Sequence, residues 1–146
     1  MASVRRDKGA RAQRDMARDA RATAETGRQV LIFPEGTRRP PGAEPAYKVG
    51  VVLLYEEMAM PCLPVALNSG LYWPRRKWQR YPGTILVEFL DILPGGLPRK
   101  EFLKRLEAEI ETASDRLLVE AAEGPNPPPL SETAQARLQA ISQTGK

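Results

Sequence analysis

A short apolar run that ends at a proline constrains the fold of this chain most. Residues 29–33, with the sequence QVLIF, predict a buried β-strand. Pro34 has no backbone N–H to donate to a neighbouring strand, so the strand is expected to end there. Gly36 permits a turn that a side chain would hinder, and it leaves room for a ligand to approach. We therefore expect a ligand-binding turn just past the carboxyl end of a strand, where open α/β sheets bind their ligands.

The side chains after this strand have the chemistry of a phosphate site. Arg38 offers a planar set of N–H donors that suits a phosphate group, and Arg39 adds positive charge beside it as a surface neighbour. Glu35 and Thr37 contribute polar groups to the same turn. The sequence thus predicts a phosphate-binding turn; the alternative is an ordinary connection between a strand and a loop.

The rest of the chain alternates between helical and strand patterns. The order of helices and strands indicates an α/β fold with a mixed sheet flanked by helices. Gly27 is placed to end the first helix, and Gly124 and Pro125 end the last, which carries one apolar stripe. The predicted helices are 9–26, 47–58 and 98–123, and the predicted strands, besides 29–33, are 61–67 and 84–90.

A change in composition divides the chain near residue 124. Residues 1–123 are expected to form one partial domain. Residues 124–146 begin with a run of prolines and contain few large apolar side chains, so we expect a flexible tail with at most one short helix at 132–141.

The composition excludes several functions. The 146-residue chain contains one cysteine and no histidine, which excludes an internal disulfide and a cysteine-based zinc finger, and no metal site is expected. Cys62 is interpreted as a small buried hydrophobic residue. No apolar run approaches the roughly 20 residues of a membrane span. The net charge of +4 favours anionic partners: phosphorylated substrates, membrane surfaces or nucleic acid.

Residues 72–81 combine four aromatic and four basic side chains with no acidic one. This composition suits a membrane interface, with rings at headgroup depth and cations on lipid phosphates. Alternatively, the aromatic side chains close the core. A nucleic-acid surface is not expected, because no nucleic-acid motif accompanies the segment. The membrane-interface candidates are Trp73, Arg75, Arg76, Lys77 and Trp78.

The hexapeptide Phe33-Pro34-Glu35-Gly36-Thr37-Arg38 resembles the third signature block of the glycerolipid acyltransferase family, of the 1-acyl-sn-glycerol-3-phosphate acyltransferase type. Residues 46–50 follow at the family's usual distance, 63–67 resemble its fourth block, and 4–7 resemble the end of its second block. The resemblance implies a partial acyltransferase domain of phospholipid synthesis at the cytoplasmic face of the membrane. Its substrates would be lysophosphatidic acid and, as acyl donor, acyl-CoA or acyl carrier protein, with no bound cofactor.

The resemblance also implies roles for individual residues. Arg38 would bind the phosphate of the acceptor, and Glu35 would contact its glycerol hydroxyls or hold the arginine. Gly36 and Thr37 would complete the turn, the latter with its hydroxyl. Lys48 is either a second phosphate contact or a solvated lysine.

The family's first block, His-x-x-x-x-Asp, is absent from this sequence. Its histidine would deprotonate the acceptor hydroxyl, a role that suits a side chain with a pKa near neutrality. We expect this block, and the front part of the sheet, to lie upstream of Val4. Glu88 and Asp91 are poor replacements, since an exposed carboxylate has a pKa of about 4.

No catalytic residue is therefore assigned, and the chain alone is expected to be inactive. Two functions remain open at this point. The chain is part of a longer acyltransferase, or it is an inactive remnant or a peripheral fragment that binds anionic lipid. A lysophospholipid and an anionic membrane surface are the expected partners.

Overall fold

A small sheet and five helices form the part of the chain that the computed structural model describes, residues 15–144. Their order is α1 (15–25), α2 (Val49–Met58), β1 (Val65–Leu67), α3 (Ser69–Tyr72), β2 (Val87–Phe89), α4 (Arg99–Glu123) and α5 (Glu132–Thr144). The α/β class is confirmed. The predicted helix 9–26 begins outside the described residues, as does the resemblance at 4–7; its predicted end is confirmed, because Gly27 has a φ of 80° and donates to the carbonyl of Ala24.

The long helix α4 organises the core. Its predicted apolar stripe is confirmed: Phe102 packs against α2, where its ring stacks on that of Tyr55 with centroids 3.7 Å apart. Further along, Ala113 and Leu117 pack against Ala66 of β1. The helix begins one residue later than predicted, because Pro98 has extended backbone and serves as its N-cap. Gly124 ends α4 as predicted.

The sheet is shorter than predicted. β1 and β2 pair antiparallel, with Val65 opposite Phe89, so the described sheet has two strands and is not mixed. The pairing continues only as an isolated bridge between Cys62 and Leu93. Pro64 interrupts the ladder, because proline has no N–H to donate. The predicted strands 61–67 and 84–90 are thus confirmed in place but not in length.

The predicted buried strand at 29–33 is wrong. These residues form no strand, and Leu31 and Phe33 are 79% and 67% exposed. A strand needs neighbouring backbone groups to pair with. Within residues 15–144 the sheet consists of β1 and β2, and neither pairs with this segment. The apolar run therefore lies on the surface and leads directly into the turn at Pro34.

The short helix α3 lies within a segment predicted as a loop, 68–83. Its position depends on Asn68, a buried polar residue whose Oδ1 accepts the backbone N–H of Leu86 at 2.8 Å. Gly83 lies against the ring of Tyr72, where a Cβ atom would be 2.0 Å from a ring carbon. The side chain of Asn68 and the absent side chain of Gly83 thus place α3 beside the segment that leads to β2.

The short helix allowed for at 132–141 is present as α5, and it packs on the rest of the described chain rather than forming a free tail. Ala134 is fully buried, and Arg137 forms two hydrogen bonds with Asp115 of α4, at 2.8 and 2.7 Å. Thr133 donates its hydroxyl to the carbonyl of Pro41. The domain division at residue 124 stays a prediction. No helix in the described part of the chain has the length and apolar character needed to cross a bilayer.

Candidate functional site

Residues 33–36 form a tight turn. The N–H of Gly36 donates to the carbonyl of Phe33 at 2.9 Å, and Gly36 has a φ of 67°, which is the left-handed region that glycine adopts without steric cost. The predicted need for glycine at this position is confirmed. The turn presents Thr37 and Arg38 on the surface.

The segment before α2 holds this turn in place. The N–H of Lys48 donates to the carbonyl of Pro34 at 2.8 Å. The N–H of Ala46 donates to the side chain of Glu35, to Oε1, at 3.0 Å. The two hydrogen bonds fix the backbone of the turn and the carboxylate of Glu35 against residues 46–48, although the two segments are separated along the chain.

Glu35 contacts a different arginine from the one expected. Its Oε1 lies 3.5 Å from Nε of Arg39, and the Glu35 side chain is only 23% exposed. The guanidinium of Arg38 is exposed and pairs with no carboxylate of residues 15–144. Arg39, expected as a surface neighbour, is instead held by Glu35. The Arg38 guanidinium therefore keeps its hydrogen-bond donors available for an anion.

Lys48 lies beside the same turn. Its Cγ would be 3.8 Å from a Cβ atom at position 36, so the stem of its side chain passes Gly36. The side chain is exposed. The structure thus brings together the five residues predicted for the site: Glu35, Gly36, Thr37, Arg38 and Lys48.

The basic and aromatic loop reaches this turn as well. Nη1 of Arg75 donates to the backbone carbonyl of Arg38 at 3.2 Å. Sequence reasoning placed the two arginines in separate candidate sites. They are 37 positions apart along the chain, and no local pattern connects them.

Within the loop, the tryptophans and the tyrosines differ in burial. Trp78 is 98% exposed, and Trp73 is exposed beneath the guanidinium of Arg80, whose Cζ lies 4.3 Å from the ring centroid. Tyr72 and Tyr81 instead pack in the core with α4 and α5. The alternative interpretation, aromatic side chains that close the core, is therefore correct for the two tyrosines. It is not correct for the tryptophans.

A second polar contact, which sequence reasoning missed, lies beneath the turn. The hydroxyl of Tyr47 donates to Oε1 of Glu111 on α4 at 2.9 Å, and both side chains are half-buried. Burial raises the pKa of the Tyr47 phenol, and the negative charge of Glu111 raises it further. Burial also raises the pKa of Glu111, although the hydrogen bond from Tyr47 opposes this. The two residues are 64 positions apart, so no spacing rule could have paired them.

The chain is similar in sequence to the 1-acyl-sn-glycerol-3-phosphate acyltransferase of Pseudomonas aeruginosa. The two are 42% identical over 76 residues, which is 52% of this chain and 30% of that protein. The match supports the acyltransferase family for this chain. The family predicted from the hexapeptide 33–38 is thereby confirmed, and the match spans less than a third of the relative's length. No protein-family model and no solved structure matches this chain.

Two other candidate groups, Glu88 and Cys62, are paired or half-buried. Glu88 pairs with Arg116 of α4, so its carboxylate is already held by a positive charge. Cys62 is half-buried, and burial raises the pKa of its thiol, which disfavours the reactive thiolate. These contacts supply no activated base or nucleophile.

An open groove of about 540 Å³ lies along α4. Its lining contains both acidic and basic side chains. One of them is Glu111, which accepts the hydrogen bond from Tyr47. Among residues 15–144, no group of three or more His, Cys, Asp or Glu side chains is arranged to hold a metal ion. The charged lining residues are Glu44, Lys100, Lys104, Glu107, Glu111 and Arg137.

Proposed function

We propose that this chain forms the acceptor-phosphate part of a 1-acyl-sn-glycerol-3-phosphate acyltransferase and binds the phosphate of lysophosphatidic acid at the turn 33–38. The observation that carries the proposal is the exposed guanidinium of Arg38, without a carboxylate partner among residues 15–144, on a turn held at Glu35 and Pro34. A guanidinium on a fixed backbone binds a phosphate with two parallel hydrogen bonds. Lys48 and Arg75 add positive charge beside it.

In this proposal Glu35 positions the turn and its arginines and takes no part in the acyl transfer. Its carboxylate oxygen accepts the Ala46 N–H and lies beside Arg39, so it neutralises one of two adjacent positive charges. Arg38 is then the cation of the turn that is free for substrate. The hydroxyl of Thr37, exposed in the same turn, is a further donor for a phosphate or glycerol oxygen.

The acyl donor is acyl-CoA or acyl carrier protein, as the family resemblance implies. The sequence contains no histidine, which is the base implied for deprotonating the acceptor hydroxyl. We therefore expect the chain on its own to bind the acceptor without transferring an acyl group to it. Mixed with acyl-CoA and lysophosphatidic acid, it is expected to release no free coenzyme A above background.

The loop from Trp73 to Arg80 is proposed to contact an anionic membrane, at its cytoplasmic face. Trp78 extends almost entirely into solvent, and Arg76 and Lys77 are exposed next to it. Because Arg75 connects the loop to Arg38, a loop at headgroup depth would keep the phosphate turn close to the membrane surface, where lysophosphatidic acid lies.

Vesicle binding tests the phosphate site. Phosphatidylcholine vesicles with and without lysophosphatidic acid are mixed with wild type and with Arg38→Ala, and the bound fraction is measured by flotation. Loss of a charge-assisted contact of about 1.5–3 kcal/mol is expected to weaken binding to lysophosphatidic acid about 10- to 100-fold. Arg38→Lys is expected to recover only part of it, because a point charge replaces a planar pair of donors. Arg105→Ala is the matched control, since Arg105 is an exposed arginine paired with Glu101 on α4.

The second candidate function is a peripheral fragment that binds anionic lipid without selecting a substrate. The exposure of Trp78 among basic residues favours it. Vesicles in which phosphatidylglycerol replaces lysophosphatidic acid separate the two functions. Equal binding to both lipids, with equal losses in Arg38→Ala and Arg105→Ala, would overturn the substrate site and support the general anionic-lipid function.

A further inference from the structure

We infer that Tyr47 and Glu111 are positioning residues for the phosphate turn: their hydrogen bond anchors residues 46–48, which in turn hold Glu35 and Pro34. The inference rests on the proposed function for what the turn binds. It adds a connection from the turn to the core helix α4, through two residues that lie 64 positions apart along the chain.

The argument starts from the backbone on either side of Tyr47. The preceding residue, Ala46, gives its N–H to the Glu35 carboxylate, and the following residue, Lys48, gives its N–H to the carbonyl of Pro34. Both hydrogen bonds of the turn to this segment therefore flank the Tyr47 side chain. A shift at residue 47 would disturb both at once.

The side chain of Tyr47 determines where this segment lies. Its ring packs at the edge of the α2–α4 core cluster, and its hydroxyl donates to Oε1 of Glu111 at 2.9 Å. Since Glu111 is on the long helix α4, the contact ties an irregular segment to the most extensively packed element of the fold. The half-buried hydroxyl would be costly to leave without a partner. The pair thus favours one position of residues 46–48 over others.

Backbone amide hydrogen exchange, measured by NMR, tests this anchor directly. In Tyr47→Phe the ring remains and only the hydrogen bond is lost. We expect the amides of Ala46 and Lys48 to exchange about 3- to 10-fold faster. The amides of Cys62 and Leu93, which bond to each other's carbonyls in the core, are expected to keep their rates. Tyr81→Phe is the matched control, since the Tyr81 hydroxyl has no hydrogen-bond partner within residues 15–144.

Variants at Glu111 give the second test and do not alter Tyr47. Glu111→Gln keeps an acceptor oxygen and is expected to retain the slow exchange of Ala46 and Lys48. Glu111→Ala is expected to match Tyr47→Phe, and the double variant Tyr47→Phe/Glu111→Ala is expected to add nothing further, as for two partners of one contact. If Tyr47→Phe fails to fold, the comparison of Glu111→Gln with Glu111→Ala answers the same question.

Binding of glycerol 3-phosphate, measured by calorimetry, connects the anchor to the site. Tyr47→Phe is expected to weaken this binding several-fold, whereas Glu111→Gln is expected to retain wild-type affinity. If wild type does not bind glycerol 3-phosphate but the amides of Ala46 and Lys48 exchange as expected, the proposed function is refuted and the anchor is upheld. Unchanged exchange at Ala46 and Lys48, or equal acceleration at Cys62 and Leu93, would overturn the anchor. Unchanged affinity in Tyr47→Phe would overturn its role in the site.

Discussion

Burial raises the pKa of Glu111 above its ordinary value of 4.5, and the charges of Glu35, Asp115 and Glu107 act in the same direction. The hydrogen bond from Tyr47 opposes them. The carboxyl group of Glu111 therefore holds its proton more tightly in the folded chain than in the unfolded chain. The contribution of Glu111 to stability is fully present below pH 4.5 and is lost as the pH rises through its raised pKa.

We accordingly expect Glu111→Gln to melt at a higher temperature than wild type at about pH 7, because the variant avoids an ionised, half-buried carboxylate and keeps an acceptor for Tyr47. The difference in Tm should shrink as the pH is lowered below 4.5, where wild-type Glu111 is protonated in both states. Glu109→Gln, on the exposed side of α4, serves as the control. A difference in Tm that stays constant with pH, or that grows on acidification, would contradict this assignment.

Between elements, Gly42 lies close against the backbone of α5. A Cβ atom at Gly42 would lie 2.5 Å from the carbonyl oxygen of Thr133 and 2.9 Å from Cα of Ala134, both of them backbone atoms. Gly42→Ala must therefore displace α5, in addition to the strain of an alanine at a φ of 75°. Gly96→Ala has nearly the same strain, at a φ of 83°, with no atom within 4 Å of the added carbon.

The comparison of Gly42→Ala with Gly96→Ala thus isolates the contact between α5 and the loop that contains Gly42. Urea unfolding is expected to show a loss of about 1 kcal/mol for Gly96→Ala. Gly42→Ala is expected to lose about 1–3 kcal/mol more, as overpacking does in a well-packed site. Equal losses would mean that α5 is not held against the loop, and would favour the flexible segment that the proline run after residue 124 predicts.

The predictable elements are those whose signals are local. The stripe of α4 and its end at Gly124 follow from spacing within one helix, and Gly36 follows from the turn after Pro34. The segment 29–33 has the composition of a strand, but a strand forms only with a partner, and its own residues do not specify one. The Tyr47–Glu111 contact likewise depends on where α4 packs. The hexapeptide therefore predicted the family that the relative supports, whereas the groups that hold the hexapeptide in place are seen only in the folded chain.

At the scale of the whole molecule, the outer face of the sheet is apolar and uncovered by any of the described residues. Because β1 and β2 pair in register, Leu67 lies opposite Val87, and both are exposed together with Phe89. Leu63 and Ile85 extend the face beyond the strands. An exposed apolar surface of this kind promotes association between molecules. Exposed apolar side chains thus lie on β1 and β2 as well as at 29–33.

We expect Phe89→Thr to reduce the light scattering that develops as the protein is concentrated, because it removes the most exposed large side chain of the two strands. Threonine introduces a β-branched side chain that suits a strand, so the free energy of unfolding should change by no more than about 0.5 kcal/mol. Trp78→Thr is the matched control, since Trp78 is also a large exposed aromatic residue but lies away from the sheet. If Trp78→Thr lowered the scattering and Phe89→Thr did not, the basic and aromatic loop, rather than the sheet, would be the surface through which the molecules associate. The apolar face of β1 and β2 would then not mediate association between molecules.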